Sequence, residues 1–308
     1  MPTLIRLITI ALMALLAAPL WADTTYPLTV RDGMDHALTL RDAPDRVSSK
    51  TLFTDEILLD LIDPERLSSL TNIAADEHYS NVADHLPAGV PLLDLNVEAI
   101  LNNYPDLVFA ANWSDAGIVE QLRQAGISVY LVNTPFTLEQ IQAEIRKIGR
   151  LVDAETRAEQ LIESMNADLA ALADAHEQIR AANLTALDYN SWGTASGVDT
   201  TWQAVLDATG LINGTQAFEQ GAFGQVSMSK ELIVDINPDV LFLPGWIYGE
   251  SDGADAFYHQ VINDPALSEV KAIQTGRVYP VPEHLRGTYS QYIIDTIEYV
   301  TSQVQQDL

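Results

Sequence analysis

The chain has 308 residues, 47% hydrophobic and 19% charged, which allows two ordinary domains and excludes a disordered, collagen-like or disulfide-framework protein. It contains no cysteine, so thiolate nucleophiles, cysteine-held zinc and iron–sulfur clusters are excluded. Forty-three acidic against 16 basic residues give a net charge of −27, a field that repels phosphate backbones and anionic lipid surfaces, so no nucleic-acid partner is expected.

Residues 1–22 open with a single charge, Arg6, followed by an apolar run over 7–20 and then Pro19 and Ala22 near a polar start at Asp23. This pattern predicts a secretory signal peptide cut after Ala22 and hence a periplasmic location; the run is short of the ~20 apolar residues that a membrane span prefers. Without cysteine the exported chain has no residue for an N-terminal lipid, so a free, untethered protein is expected.

From Arg46 onward short apolar runs alternate with helical stretches. Val47 begins a strand, DEILLDLI (55–62) has helical spacing and stops before Pro64, DLVFAA (106–111) is a buried strand, 117–125 is helical and ends at Gly126, and ISVYLV (127–132) is another buried strand. Ile141, Ile145 and Ile148 mark a helix face. Asp153 then caps a helix over 154–179, about 39 Å long at 1.5 Å per residue, long enough to join two lobes. The alternation resumes with a strand at 185–189, a helix at 202–209, the strands DVLFL (239–243) and 278–281, and a final helix over 289–304. Such alternation predicts an α/β fold of two Rossmann-like lobes with mainly parallel sheets: a first lobe over 23–152, a connecting helix over 153–181 and a second lobe over 182–308.

An internal repeat supports equivalent lobes. Glu98 stands seven residues before Pro105-Asp106 and a buried strand, and Glu231 stands seven before Pro238-Asp239 and another.

The chain has no Gly-x-Ser-x-Gly elbow, P-loop, Gly-x-Gly-x-x-Gly or His-Glu-x-x-His motif, so no enzymatic activity is expected. Asp76, Glu77, His78 and His85 form at most a weak polar cluster, and neither a metal site nor a cofactor is expected. The informative residues are aromatic rings beside turns at strand ends: Trp113 in AANWSD, Tyr189 and Trp192 in DYNSWGT, Trp246 and Tyr248 in LPGWIYGE, and Phe223 in QGAFGQ. Phe53 and Tyr79 join them in the first lobe, and Arg286 in PEHLRGTY offers a cation for an anionic ligand group. In open α/β sheets ligands bind at the carboxyl ends of the strands, so these rings are candidates for the walls of a cleft that takes a bulky ligand.

Taken together, RVSSKTLFTDEILLDLIDPERLSSL, LNVEAILNNYPDLVFA, DATGLIN, SKELIVDINPDVLFL and GRVYPVP, in this order and spacing, resemble the periplasmic solute-binding proteins of ABC importers for iron chelates, haem and vitamin B12. The resemblance covers about 46–304 and implies two lobes joined by one rigid helix with the ligand between them. It further implies a membrane permease and its ATPase as partners, a monomeric binding protein, and one permease-docking glutamate per lobe, at the matching positions Glu98 and Glu231. The ligand it implies is a ferric siderophore or a corrinoid, with haem as an alternative within the same family and a secreted α/β hydrolase as the alternative from another class.

Overall fold

The computed structural model describes residues 24–308, so the signal peptide expected over 1–22 lies outside the described residues. A hairpin of β1 (Leu28–Arg31) and β2 (Ala37–Leu40) comes first. Its turn is tied by Asp32, whose carboxylate accepts from the Met34 and His36 N–H groups, both at 2.9 Å, and pairs with Arg123 at 2.7 Å.

The first lobe follows as β3 (Val47–Ser49), α1 (Leu52–Leu61), β4 (Leu67–Ser69), α2 (Val97–Leu101), β5 (Leu107–Ala111), α3 (Ala116–Gln124), β6 (Ser128–Val132) and α4 (Leu138–Leu151). Its sheet has the order β4-β3-β5-β6, with every pair parallel. Then come α5 (Glu155–Ala171) and α6 (Ala173–Ala182). The second lobe comprises β7 (Thr185–Asp188), β8 (Thr194–Ser196), α7 (Thr201–Thr209), β9 (Ile212–Asn213), β10 (Gln225–Ser227), α8 (Lys230–Ile236), β11 (Val240–Pro244), α9 (Gly253–Ile262), α10 (Lys271–Thr275), β12 (Val278–Val281), α11 (Glu283–Arg286) and α12 (Ile293–Gln306). Its sheet order β12-β11-β7-β9 is again all parallel, and β8 and β10 form a separate antiparallel pair. Matching β3 to β7, β4 to β9, β5 to β11 and β6 to β12 superposes the two strand orders, so the sequence repeat marks a topological one.

The strands read as continuous apolar runs because helices cover both sheet faces; all five residues of β5 and of β11 are buried. Helix α1 starts where the Thr51 hydroxyl accepts from the Thr54 N–H, and it buries Phe53, Ile57, Leu58 and Leu61 at helical spacing before Pro64 opens the next turn. Helix α12 buries Ile293, Ile297, Val300 and Val304 along one stripe against α6 and α7. Each such side chain contributes about 1.5–3 kcal/mol.

The Pro-Asp element of the repeat has a mechanical role. Asp106 accepts from the Asp45 and Arg46 N–H groups at 3.0 and 2.9 Å, and its own N–H donates to the Arg46 carbonyl at 2.8 Å. Asp239 does the same to Thr185, accepting from its N–H at 3.0 Å and donating to its carbonyl at 2.8 Å. Each aspartate therefore staples the amino end of its own strand to the amino end of the neighbouring first strand.

Two expectations are corrected in detail. The helical stretch expected over 154–179 is interrupted at Leu172: α5 packs on α1 and α4 of the first lobe, whereas α6 packs on α7 and α12 of the second. The final helix begins at Ile293 rather than at 289, because Ser290 and Gln291 are drawn to α1: Ser290 Oγ donates to Glu56 at 2.5 Å, and Gln291 Nε2 donates to the Glu56 carbonyl at 2.9 Å and to Asp60 at 2.8 Å. The apolar side chains facing inward from both lobes, together with those of α5, α6 and α12, form one continuous buried cluster, and each lobe adds a smaller cluster on its outer side.

Candidate functional site

Parallel strands deliver their carboxyl ends to one edge of each sheet. On that edge of the first sheet the chain leaves β3 through Lys50-Thr51, β4 through 70–81 and β5 through Asn112-Trp113-Ser114. Segments from all three exits line a cavity of about 400 Å³, and its remaining wall is Glu283, His284, Gly287, Thr288 and Tyr289, which leave the carboxyl end of β12 in the second lobe. A neighbouring recess of about 440 Å³ shares Glu283 and His284 and is lined by His78 and Trp246. The two recesses adjoin through the shared residues, and both draw their walls from both lobes.

Aromatic contacts span the gap. Trp246 lies 4.6 Å from the His78 ring and meets Tyr79 edge-on at 5.1 Å, while Tyr248 stands edge-on to Trp246 at 6.0 Å. Phe53 faces Tyr289 at 6.1 Å. Gly245 makes the approach of Trp246 possible: its N–H donates to the Val281 carbonyl at 2.7 Å, and a Cβ there would sit 2.7 Å from that same oxygen.

Of the ring residues expected at the cleft, Phe53, Tyr79 and Trp113 line the cavity and Trp246 lines the adjoining recess, while exposed Tyr248 touches Trp246 without lining either space. The others lie elsewhere. Tyr189 packs on Phe257 at 5.6 Å beside the outer core of the second lobe. Trp192, 85% exposed, sits in the turn between β7 and β8, and Phe223, 93% exposed with φ at 57°, projects from the loop before β10.

Arg286 does not fit its expected part as a partner for an anionic ligand. Its guanidinium is buried against Asp188, with Glu283 at 3.6 Å. Burial opposes its charge, but the two carboxylates outweigh that and hold the proton more tightly than usual. The expectation that Arg286 offers a free cation overlooked Asp188, 98 positions earlier in the chain.

Several site residues escaped the sequence reading. Glu56 is buried at the cavity wall, accepting from Ser290 and, at 3.1 and 2.8 Å, from the backbone and side-chain N–H groups of Asn81. Asn81 also donates to the His284 carbonyl at 3.2 Å, so this clasp joins the lobes. Burial raises the Glu56 carboxyl pKa and lowers that of His284. The signal for Glu56 was its place three residues after Phe53, on the same helical face. At the cavity wall Lys50 is buried beside Asp55. Lys50 Nζ donates to Ser69 Oγ, the Leu70 carbonyl and the Leu93 carbonyl at 2.9, 3.4 and 3.2 Å, and Asp55 accepts from the backbone and side chain of Thr71. Burial pushes Lys50 down to about 8 and Asp55 up to about 7, each partly offset by the opposite charge of the other.

Asp76 and His78 bond at 3.3 Å, but among the described residues no group of three or more His, Asp or Glu side chains is arranged to hold a metal ion.

Glu98 and Glu231 are exposed in the first turns of α2 and α8, two residues beyond the helix caps Asn96 and Ser229. Each helix is followed by the Pro-Asp turn and then by β5 or β11, so the two glutamates hold equivalent places in the repeat. The Glu231 carboxyl pKa is lowered chiefly by its own backbone N–H and by Ser229.

Comparison with known proteins adds a family. The profile described as periplasmic binding protein matches residues 47–285. An uncharacterised ABC transporter substrate-binding lipoprotein, YvrC of Bacillus subtilis, is 26% identical over 291 residues, covering 92% of this chain and 87% of that protein. A cobalamin-binding protein of Halobacterium salinarum is 26% identical over 223 residues, 70% of this chain and 58% of that one. Among solved structures, a possible iron-binding (periplasmic solute-binding) protein from Staphylococcus epidermidis aligns with a TM-score of 0.71 at 19% identity over 85% of this chain and 99% of that one, a likeness of fold.

Proposed function

The chain belongs to the periplasmic binding protein family, and on that premise we propose that it is the capture subunit of an ABC importer, holding a bulky metal chelate between its lobes and passing it unchanged to a membrane permease driven by an ATPase. The observation that carries this reading is the cavity whose walls come from the carboxyl ends of the first sheet and from the segment after the last strand of the second. A volume of about 400 Å³ lies within the usual ~300–1,000 Å³ of ligand pockets, and the adjoining recess extends it. The ligand class is a ferric siderophore or a corrinoid, with haem as the alternative; relatives of both the cobalamin-binding and the petrobactin-binding kind support that range. The family is one of binding proteins, which displaces the hydrolase alternative; we take the chain to be a non-enzyme with no resident cofactor.

In this reading residues 23–152 and 182–308 are the two lobes, 153–181 is the connector, and the protein acts outside the cytoplasmic membrane as a monomer after loss of residues 1–22. Phe53, Tyr79, Trp113 and Trp246 contact the ligand. Glu98 and Glu231 offer one exposed carboxylate per lobe, at equivalent places in the repeat, to basic groups on the permease.

Two measurements test this. Titrating the purified chain with ferric hydroxamates, cyanocobalamin and haem, read by quenching of tryptophan emission, should show saturable binding of at least one; flat titrations with all of them would overturn the reading. Reversing both charges, Glu98→Lys with Glu231→Lys, should abolish uptake in cells while leaving ligand affinity within about twofold. Normal uptake by that double variant would remove the docking role.

A further inference from the structure

We propose that the cleft selects a chelate of zero or positive net charge and rejects anionic ones. The inference rests on the capture reading above and adds a substrate class to it.

Among the described residues, no cation that lines the cavity is free of protein partners. All three N–H bonds of Lys50 go to Ser69, Leu70 and Leu93, and Asp55 lies buried beside it. Arg286 pairs with Asp188 and, at 3.6 Å, with Glu283; its Nε has no hydrogen-bond partner, but Arg286 is not among the residues that line the cavity. His284 is half-buried at the wall, and its pKa is lowered by burial, which keeps it neutral near pH 7. Four carboxyl groups surround them: Glu56 and Glu283 on the wall and Asp55 and Asp188 behind it; burial raises the pKa of Asp55, Glu56 and Glu283, and Asp188 pairs with Arg286, so none of them offers an anion a counter-charge. At the adjoining recess Glu77 is a further carboxylate, and the basic ring there, His78, is bonded to Asp76 at 3.3 Å.

Helix N-termini, which otherwise attract anions, do not rescue an anionic ligand here. Helix α1 points its first residues into the cavity, but Thr51 caps it and Asp55 occupies its first turn. Helix α11 opens with Glu283 itself. An anionic group entering this space therefore loses water and finds, among the described residues that line it, no cation that is not already held by protein groups. A cationic or neutral chelate loses less, and the rings of Phe53, Tyr79, Trp113 and Tyr289 offer faces that attract positive charge.

The test uses matched probes that differ only in charge, read by tryptophan quenching of the purified chain. One series is a linear ferric trihydroxamate with a free terminal amine, the same complex N-acetylated, and the same N-succinylated, with net charges of about +1, 0 and −1 at pH 7. A second pairs cyanocobalamin with its monocarboxylate, and a third pairs haem with its dimethyl ester. In whichever scaffold binds, each added negative charge should raise Kd about tenfold. The preference should persist at 1 M salt, where the Debye length of about 3 Å screens the overall charge but not buried groups. Glu283→Gln should narrow the gap between neutral and anionic members. An anionic member that binds as tightly as its neutral partner overturns the inference and leaves the capture reading standing. So does a preference that vanishes in 1 M salt, or one that Glu283→Gln leaves untouched. Absence of binding in all three series instead overturns the capture reading, and the inference falls with it.

Discussion

At the scale of single residues, the cleft combines walls that hold a ligand with groups that hold the walls. Trp113 and Trp246 belong to the first kind, since each leaves a strand end and borders open space. Trp113→Ala and Trp246→Ala should each weaken chelate binding about tenfold, as expected for removing one well-placed aromatic contact, with little change in thermal midpoint. Trp192→Ala, outside both recesses, should leave affinity unchanged, and a titration of the three variants separates the roles. Asp55 belongs to the second kind. Its folded pKa of about 7 lies above the ordinary value of 3.8, so the folded state holds the proton more tightly. The stability Asp55 contributes is full below pH 3.8 and is lost as pH rises through 7. Lys50, depressed from 10.5 to about 8, contributes stability that is full above pH 10.5 and is lost as pH falls through 8. Asp55→Asn cannot ionise, so urea midpoints should show it gaining on the wild type by a few kcal/mol between pH 4 and 7; a constant difference across that range would exclude Asp55 as the titrating group.

At the scale of elements, the repeated Pro-Asp turn is the feature with the most to explain. The spacing of Glu98 to Pro105 and of Glu231 to Pro238 was visible in the chain, and so was the buried strand after each. What Asp106 and Asp239 do was not, because their partners Arg46 and Thr185 lie 60 and 54 positions away. The same limit hid the clasp of Glu56 with Ser290, which joins residues 234 apart. Strands such as DLVFAA were legible because two-sided burial makes them uniformly apolar, whereas the three-residue β4, β8 and β10 and the two-residue β9 carry too few residues for any period to show. The hairpin of β1 and β2 was likewise missed. Asp106→Ala and Asp239→Ala should each cost about 1–2 kcal/mol, since each removes carboxylate bonds to backbone N–H groups. The two sites lie in different lobes with no shared partner, so the double variant should lose the sum within about 0.5 kcal/mol. Chemical denaturation of the four proteins measures this; unaltered midpoints would deny the staples any mechanical role.

At the scale of the whole molecule, the two lobes share more than a tether. Helices α5, α6 and α12 contribute to one apolar cluster continuous with the inner faces of both sheets, and His176 bonds Thr301 at 3.0 Å where α6 meets α12. An interface of that kind resists hinge motion, because opening it exposes apolar surface. Ligand binding should therefore change the radius of gyration by less than about 1 Å in small-angle scattering. Tryptophan emission and far-ultraviolet dichroism should report coincident unfolding midpoints, since Trp113 lies in one lobe and Trp202 in the core of the other. Two separated transitions would show that the lobes are independent.

The Pro-Asp staples sit at the amino ends of the strands, and the segments that line the main cavity gather at the opposite ends. Scaffold and recognition thus occupy separate ends of each layer. Exposed ring positions at the ligand edge, such as Trp113, can be exchanged without touching the Pro-Asp staples, which makes this chain a suitable chassis for reagentless sensors tuned to new guests.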